Sequence, residues 1–417
     1  MSNPLHLACL IPVEDESDFT IYNLPLGIFT YKQKKHRVGM AIGNFIIDVY
    51  ALHKYGLFGK RYEKNTFKTK FLNRLIRLGR EEHFFIRKCI QELLTGSFTK
   101  VFKKRNKWLI EQNVATMYFP VRNGDYTDFY SGEHHAANVG RLFRKNEAPL
   151  LPNWKHLPVA YHGRSSSLIV SGKNIHRPKG QILNKDNQPI YAPSKCMDFE
   201  LELAFIIGKN SEQGHAISTL EAGDYIFGYV LLNDWSARDI QRWEYVPLGP
   251  FLGKNFATSV SPWVVTSIAL QPFLCEHPQQ EPEVLPYLEQ EGKQFLDIAL
   301  QVDIRTQKGH QKTVTQTNAT ELYWSPVQQL AHHTVNGCNV RIGDIMASGT
   351  ISGEQEGSWG SLLETTFNGT KAIEIGNETR TFLEDGDTVI MRGHAGEGAF
   401  RVGFGAVQNQ LLPVIEK

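Results

Sequence analysis

The stretch of the chain richest in potential chemistry is residues 233–256, where several unlike hydrogen-bonding side chains follow an apolar run. The run at 225–232 predicts a buried strand. The side chains that follow it are Asp234, Arg238, Gln241, Tyr245 and Lys254. The first four have the spacing of one helix face, and proline and glycine then break the chain before the lysine. Such a face could line an active site, and the alternative is the solvated face of a surface helix.

A second set of acids alternates with apolar residues. In a strand, period two would place Asp198, Glu200 and Glu202 on one face. Neighbouring carboxylates repel unless water or a cation intervenes, and the apolar continuation at 204–207 indicates burial on both faces. A cluster of oxygen ligands suits calcium, magnesium or manganese. The pattern therefore leaves two alternatives, a metal site and an edge strand with one wet face.

A third cluster within residues 125–135 contains three acids, two tyrosines and two histidines. A histidine beside a carboxylate and a metal could deprotonate water, because its ordinary pKa is about 6.5. The alternative is a polar loop whose histidines bond the local backbone. The pair His332 and His333 lies at helical spacing with no acid beside it, and we assign it no role.

Residues 343–353 predict a turn, a short strand and a glycine-rich exit. The segment lacks the Lys-Ser/Thr pair of a phosphate-binding loop. Its glycines would instead let Thr350 approach a small ligand closely. Glu364 follows this loop.

Composition narrows the class of protein. A chain of 417 residues with 41% hydrophobic and 21% charged residues predicts a globular protein of two or three domains. Its net charge of +2 gives no reason to expect nucleic acid. We expect no membrane span and no secretory signal, since the apolar segment at 5–12 has no basic region before it. The five cysteines are far apart and odd in number, which predicts free thiols and a cytoplasmic protein.

The local patterns divide the chain near 115–120. Residues 1–57 predict a small antiparallel β unit, and 66–95 predict helices with apolar stripes. The basic residues crowded around these helices fit a solvated face better than a nucleic-acid patch, because the aromatic residues lie at core spacing. The remainder predicts mainly β structure, with helix signals limited to short stretches such as 138–145 and 234–246.

The longer motifs resemble the fumarylacetoacetate hydrolase family over nearly the whole chain. They are Asp-Tyr-Thr-Asp-Phe-Tyr at 125–130, Leu-Pro-Asn-Trp-Lys-His-Leu-Pro-Val-Ala-Tyr-His-Gly-Arg at 151–164, Phe-Glu-Leu-Glu at 199–202, the stretch at 233–254, and Ala-Ser-Gly-Thr-Ile-Ser-Gly at 347–353. The resemblance implies a mainly β (α+β) protein. It would have a small SH3-like N-terminal barrel domain with a basic helical segment over 1–118 and a large C-terminal β-sandwich roll over 119–417, and it would form a homodimer.

The resemblance also assigns roles to individual residues. The metal ligands would be Asp128, Glu200, Glu202 and Asp234 for Ca²⁺, with Mg²⁺ or another cation near Asp234, Lys254 and Thr258. The catalytic residues would be His135 as general base, Glu364 orienting it, and Arg238, Gln241 and Lys254 binding the oxyanion. The substrate would contact Tyr130, Arg144, Tyr161, Gln241, Tyr245 and Thr350.

Two departures from the family pattern bear on these roles. Ala257 stands where glycine is expected, which concerns the second cation, and His134 adjoins the expected base.

The implied reaction is metal-dependent hydrolysis of the carbon–carbon bond of 4-fumarylacetoacetate, giving fumarate and acetoacetate. This is the final step of tyrosine and phenylalanine catabolism. The partner would be a small dicarboxylate diketone, with no nucleic acid and no membrane. The alternatives are an acylpyruvate hydrolase or β-keto acid decarboxylase of the same superfamily, and a non-catalytic metal-stabilised binding protein.

Overall fold

The computed structural model of the protein describes residues 7–32, 35–63, 65–144, 146–276 and 279–416. The start of the apolar segment at 5–12 and of the predicted 1–118 domain lies outside these residues. Across the described ranges, no helix is long and apolar enough to span a membrane. All five cysteines are free, as predicted.

The first part of the chain contains a small antiparallel sheet and four helices within the described residues. Its strands are β1 (Leu26–Thr30), β2 (Arg37–Ile42), β3 (Phe45–Asp48), β4 (Leu109–Glu111) and β5 (Thr116–Tyr118), in the order β4-β3-β2-β1-β5. Its helices are α1 (Val49–Lys54), α2 (Asn73–Ile76), α3 (Arg80–Leu94) and α4 (Thr99–Phe102). The predicted antiparallel β unit is confirmed.

The helices predicted over 66–95 are only partly correct. The helix α3 buries a stripe that includes Cys89 and Leu93, as expected. The helix α2 is a single turn, and Phe67 and Phe71 precede it in irregular backbone. Phe67 is buried in the core and Phe71 is partly buried, so their spacing resembles a helix although no helix carries them.

The remaining strands and helices follow in chain order. The strands are β6 (Tyr126–Phe129), β7 (Ala160–Gly163), β8 (Leu168–Val170), β9 (Ile175–His176), β10 (Lys179–Leu183), β11 (Pro189–Pro193), β12 (Met197–Asp198), β13 (Leu201–Ile207), β14 (Ile226–Asp234), β15 (Ser236–Ala237), β16 (Thr258–Val260), β17 (Val265–Thr266), β18 (Leu274–Cys275), β19 (Phe295–Leu296), β20 (Ala299–Arg305), β21 (Gln311–Asn318), β22 (Ile345–Ala347), β23 (Ile373–Ile375), β24 (Glu378–Arg380), β25 (Thr388–Ala395) and β26 (Val402–Leu412). The helices are α5 (Glu133–Phe143), α6 (Thr219–Tyr225), α7 (Arg238–Glu244), α8 (Ser267–Leu270), α9 (Pro326–Thr334) and α10 (Leu362–Thr365). The predicted mainly β character is confirmed.

Two large sheets organise this part of the chain. An eight-stranded sheet has the order β7-β6-β22-β13-β14-β16-β8, with β17 also paired to β14. A five-stranded sheet has the order β21-β20-β25-β26-β9. Parallel pairing of β22 with β6 joins segments more than two hundred residues apart, so the topology brings distant motifs to one place.

The eight-stranded sheet is buried on both faces. Alternate residues of β13, such as Leu203 and Phe205, share a core with Val302 and Met391 of the five-stranded sheet. Side chains of the opposite parity, such as Ala204, share a second core with the N-terminal β unit. Burial on both sides explains the continuous apolar run of β14. The alternative of an edge strand with one wet face is therefore wrong.

Three element boundaries differ from the predictions. Residues 198–207 do not form one strand: Asp198 ends β12, which pairs with β15, whereas Glu202 lies in β13. Asp234 is the last residue of β14 and does not lie on a helix face. The helix predicted at 138–145 begins earlier, at Glu133, and so carries His135. Strand pairing sets the first two boundaries, and the start of α5 at Glu133 sets the third. The local periodicity of the sequence shows none of these.

Candidate active site

Three buried carboxylates meet at the ends of neighbouring strands. Asp128, Glu202 and Asp234 each offer an oxygen, and these oxygens lie within 4.8 Å of one another. They lie on β6, β13 and β14, on the face that farther along each strand carries Tyr126, Ala204 and Leu232 of the second core. The acids therefore continue an apolar face and have no bulk water around them.

The path of the chain beyond β22 makes this convergence possible. Ala347, at the end of β22, pairs with Asp128 on one side and with Ala204 on the other. Beyond it, Gly349 adopts a positive φ of 76° and donates its N–H to Glu202 Oε2 at 3.2 Å. A Cβ at this position would lie 2.2 Å from the carbonyl oxygen of Phe129. Glycine is required here by both its conformation and its close approach.

The electrostatics of the three acids fit a hard divalent cation. Burial and the negative charges of neighbouring acids raise the pKa of Asp128 and that of Glu202 well above their ordinary values. Asp128 Oδ1, Glu202 Oε1 and the Tyr126 hydroxyl are buried and find no hydrogen-bond partner in the described part of the chain. Buried polar atoms normally have partners, so these oxygens fit a bound ion such as calcium or magnesium.

Glu200 adjoins the triad but is held by two cations. Arg238 Nη1 donates to Glu200 Oε1 at 2.7 Å, and Lys254 Nζ donates to Glu200 Oε2. Burial alone would raise the pKa of Glu200, but the charges of Lys254 and Arg238 lower it below its ordinary value. The structure thus brings three of the four expected metal ligands together and places the fourth in an ion-pair network.

Asp234 is the junction between the triad and this network. Its Oδ1 accepts from the Thr258 hydroxyl at 2.6 Å. Its Oδ2 accepts from Lys254 Nζ at 2.7 Å and from the Tyr161 hydroxyl at 3.0 Å. The carboxylates of Asp234 and Glu200 raise the pKa of Lys254 although burial opposes this, so the amine remains charged. Ala257 is buried in the core beside Thr258.

A buried histidine–carboxylate pair forms the other half of the site. His135 Nδ1 lies 2.7 Å from Glu364 Oε2, and both side chains are buried. Burial would raise the pKa of Glu364, but the contact with His135 and the surrounding donors lower it. The donors are Asn138 Nδ2 at 2.9 Å, the Ser352 hydroxyl at 2.9 Å and the Ser361 hydroxyl at 2.8 Å. Glu364 is therefore held as a carboxylate in one orientation.

The neighbouring histidine has a different environment. His134 Nε2 lies 3.4 Å from Glu321 Oε2, and its side chain is partly exposed. The helix directs the two imidazoles to different sides, so only His135 contacts the buried carboxylate.

The residues expected to contact the substrate differ in their burial and in their contacts with this pair. The rings of Tyr130 and His135 pack in a T-shaped arrangement, with centroids 5.4 Å apart. Arg144 caps α5 and donates to the Pro149 carbonyl, while its Nε finds no partner in the described residues. Thr350 is buried at the site, whereas Tyr245 is 50% exposed at the end of α7. Gln241 accepts from Arg238 Nη1 at 3.2 Å.

Sequence reasoning missed the residues that hold Glu364 and Arg238. Asn138 lies one helical turn from His135, and Ser361 precedes Glu364 in a Ser-x-x-Glu pattern typical of a helix start. The period-two pattern places Asp198 with the other acids, but Asp198 is not part of the triad and instead accepts from Arg238 Nε at 2.8 Å. The Ser-x-x-Glu pattern was the one signal available.

By class, this is a mainly β protein whose site suits metal-assisted acid–base chemistry. Two family models match it: Fumarylacetoacetase N-terminal over residues 22–120 and Fumarylacetoacetate (FAA) hydrolase C-terminal over residues 126–412. The chain belongs to the fumarylacetoacetate hydrolase family.

Curated relatives match along nearly their whole length. The chain is 48% identical to the fumarylacetoacetase of Rattus norvegicus over 414 residues, which covers 97% of this chain and 99% of the relative. It is 46% identical to that of Homo sapiens with the same coverage, and 43% identical to that of Arabidopsis thaliana over 98% of this chain and 99% of the relative.

Solved structures share the fold at low identity. A fumarylacetoacetate hydrolase from the psychrophile Exiguobacterium antarcticum aligns with a TM-score of 0.52 and 16% identity, covering 93% of this chain and 99% of that chain. A 5-carboxymethyl-2-hydroxymuconate delta-isomerase from Mycobacterium smegmatis aligns with a TM-score of 0.50, 15% identity and the same coverage.

Proposed function

We propose that the protein hydrolyses the carbon–carbon bond of 4-fumarylacetoacetate, giving fumarate and acetoacetate as the final step of tyrosine and phenylalanine catabolism. The observation that carries this proposal is the buried His135–Glu364 pair beside the triad of Asp128, Glu202 and Asp234. The curated relatives named fumarylacetoacetase support the choice of substrate. The paired site opposes a purely structural role, because a buried base oriented by a carboxylate has no evident value in a binding protein.

We assign cation binding to Asp128, Glu202 and Asp234, with Glu200 as a fourth ligand and with Lys254 and Thr258 beside Asp234. Calcium or magnesium fits these oxygen donors. When bound, such an ion acts as a Lewis acid that polarises a diketone carbonyl. The Thr258 and Tyr161 hydroxyls orient Asp234 by hydrogen bonds at 2.6 and 3.0 Å.

His135 acts as the general base in this proposal. Its Nδ1–H donates to Glu364, which leaves the lone pair of Nε2 to accept a proton from water. Glu364 stabilises the imidazolium that forms, as a buried carboxylate does in a catalytic triad. The hydroxide equivalent then adds to the carbonyl carbon.

The resulting oxyanion is stabilised by Arg238, Gln241 and Lys254. Arg238 Nη2 is buried and finds no partner among the described residues, so it is available to donate. Collapse of the tetrahedral intermediate breaks the carbon–carbon bond and releases an enolate. The proton held on His135 Nε2 returns to the enolate carbon, which regenerates the base.

The proposed substrate carries two carboxylates and a diketone, and the protein must recognise these groups. Arg144 supplies the charge that pairs with a terminal carboxylate. Tyr130, Tyr161, Gln241, Tyr245 and Thr350 supply the remaining contacts. The partly exposed Tyr245 lies at the outer end of this set.

The wider assembly is proposed on the same resemblance. The N-terminal part, 1–118, forms an SH3-like barrel, and 119–417 forms a β-sandwich roll. Two chains form a homodimer in the cytoplasm. Free thiols at all five cysteines are consistent with a reducing compartment.

The direct test mixes purified protein with 4-fumarylacetoacetate in the presence of calcium or magnesium and follows the loss of diketone absorbance. We expect stoichiometric formation of fumarate and acetoacetate. An absence of turnover with either cation would refute the proposal. Turnover of simple acylpyruvates alone would identify an acylpyruvate hydrolase instead.

A further inference from the structure

Asp198 lies between the two halves of the site without belonging to either. It is fully buried at the end of β12, where it pairs with Ser236 of β15. The helix α7 begins two residues after Ser236. It is not one of the three acids that gather for a cation. A buried carboxylate needs several donors to offset the loss of water, and the identity of these donors indicates what Asp198 does.

One oxygen of Asp198 holds the guanidinium of the oxyanion pocket. Arg238 Nε donates to Oδ2 at 2.8 Å. Nη1 of the same guanidinium donates to both Glu200 and Gln241, and Nη2 is left for substrate. Fixing Nε fixes the plane of the guanidinium, because the group is rigid.

Both oxygens of Asp198 also hold the start of α10. The Leu362 N–H donates to Oδ1 at 2.8 Å, and the Leu363 N–H donates to Oδ2 at 3.0 Å. The next residue is Glu364, which orients His135. The Phe199 N–H completes the set at 2.8 Å. One carboxylate therefore binds the group that receives the oxyanion and the turn that carries the partner of the base.

We propose that Asp198 is a positioning residue that sets the geometry of Arg238 and Glu364 together, so that base and oxyanion pocket stay aligned on one carbonyl. The proposal rests on the proposed function. It predicts that loss of the Asp198 charge misaligns both groups while the three cation ligands remain in place. Misplacement of catalytic groups by about 1 Å costs on the order of 10²-fold in rate.

The test compares Asp198→Asn with a matched control, Asp387→Asn. Asp387 is also fully buried, accepts from Arg380 Nε at 2.8 Å and Nη2 at 3.0 Å, and accepts from the Glu384 N–H at 2.9 Å. It has the same type of contacts but lies outside the site. We expect Asp198→Asn to lower kcat by on the order of 10–10²-fold with KM within about twofold and cation content unchanged. We expect Asp387→Asn to lower Tm and leave kcat unchanged.

Two further readouts separate positioning from general damage. The acid limb of the kcat/KM profile, which reports the base, should move in Asp198→Asn and stay in place in Asp387→Asn. In an Arg238→Lys background, the additional loss from Asp198→Asn should be smaller than in the wild type, because the guanidinium that Asp198 holds is absent. Equal kcat values for the two Asn variants, or fully multiplicative losses, would overturn the proposal.

The proposal stays testable if Asp198→Asn does not fold or if the wild type has no activity on the substrate. Asp198→Glu keeps the charge but moves the carboxylate, and it should fold with a similarly reduced kcat. The downfield NMR signal of the His135 Nδ1 proton reports the contact with Glu364 without turnover. It should shift in the Asp198 variant and not in Asp387→Asn, and an unchanged signal would contradict the role even in an inactive protein.

Discussion

At the scale of single residues, the role of each histidine depends on the group that its imidazole contacts. His135 and His134 are adjacent in sequence, yet one imidazole contacts a buried carboxylate and the other a partly exposed glutamate. A general base needs an oriented ring with one free nitrogen. The contrast therefore assigns the base by environment rather than by residue type.

This assignment predicts different effects of replacing the two histidines. His135→Ala should lower kcat by on the order of 10²–10⁴-fold, because water loses its proton acceptor. Its binding of calcium should be unchanged, since His135 is not among the acids that gather for a cation. The matched His134→Ala variant should retain kcat within a few-fold, and steady-state kinetics with metal analysis measures both. Equal losses in the two variants would contradict the assignment.

The raised pKa of Glu202 predicts opposite effects of one substitution with and without metal. Burial, followed by the neighbouring acids, disfavours the ionised form of Glu202 and raises its pKa. Glu202→Gln removes this ionisable carboxyl, so the metal-free variant should have a higher Tm than the metal-free wild type. It also removes a charged ligand, so its affinity for calcium should fall at least about tenfold.

Thermal unfolding over a calcium titration measures both effects, since a ligand that binds only the folded state raises Tm. Glu321 is partly exposed and lies outside the triad. The Glu321→Gln variant therefore serves as the control and should change neither quantity. A Glu202→Gln variant with unchanged calcium affinity would remove Glu202 from the ligand set.

Residue types were predictable from the sequence more readily than their partners. The family motifs identified four expected metal ligands, and the structure places three of them together. The spacing alone did not separate Asp198 from Glu202, because period two holds only while one strand continues. The chain leaves β12 before β13 begins, so the two acids serve different groups. The point where the chain leaves one sheet and enters another gives no periodic signal in the sequence.

At the scale of elements, α9 packs a histidine directly behind the acid triad. His333 Nε2 lies 3.0 Å from the hydroxyl of Thr127, the neighbour of Asp128 on β6. Burial, followed by the nearby His162 and His332, lowers the pKa of His333 to about 4 from an ordinary value of 6.5. The helix therefore packs against the strand with this imidazole neutral.

This shift makes part of the stability depend on pH. Because the pKa is lower in the folded state, the contribution of His333 is fully present above pH 6.5 and is lost as the pH falls towards 4. One pKa unit corresponds to about 1.4 kcal/mol, so the loss is up to about 3 kcal/mol. His333→Gln should therefore flatten the decline of Tm between pH 6.5 and 4.

The control for this effect is His215→Gln, because the His215 side chain is 75% exposed. Its Tm should follow the wild-type decline with pH. Scanning calorimetry across this range decides the question, and a parallel decline in His333→Gln would show that the imidazole contributes nothing.

Local sequence patterns predict a strand or a helix where the burial of its side chains determines its conformation. The strands β1 to β3 lie within the antiparallel β unit predicted for residues 1–57, and the two residues 43–44 join β2 to β3 in a tight turn. The face of Asp234, Arg238 and Gln241 was predicted as one helix, yet β14 continues through Asp234 because it pairs with Thr258 of β16. Pairing with a distant strand overrides local periodicity, and a single sequence does not contain it.

At the scale of the whole molecule, the site depends on the burial of the eight-stranded sheet between two cores. The five-stranded sheet covers one face, and the N-terminal β unit covers the other. The acids occupy the second face, so the N-terminal part of the chain helps to exclude water from the site. Because β6 pairs with β22, more than two hundred residues later in the chain, the site forms only when most of the molecule has folded.

The proposed homodimer requires an apolar surface that a second copy can cover. Within the described residues, the end of α7 and the segment after it expose several large apolar side chains, namely Trp243, Tyr245, Val246, Leu248, Phe251 and Leu252. Several exposed apolar side chains within one short segment are typical of an interaction site. It leads directly to Lys254, which contacts Glu200 and Asp234.

We therefore expect Leu248, which is 96% exposed, to be buried between two copies of the chain. Leu248→Glu would place a charge in that interface, and the desolvation of an unpaired charge should shift the protein towards monomer. Sedimentation velocity over a concentration series measures the shift. The matched Leu220→Glu variant changes a leucine that is also largely exposed, at 75%, but lies on α6 away from this segment, and it should sediment as the wild type does. A wild-type monomer, or a Leu248→Glu dimer as strong as the wild-type one, would show that this segment does not join two copies.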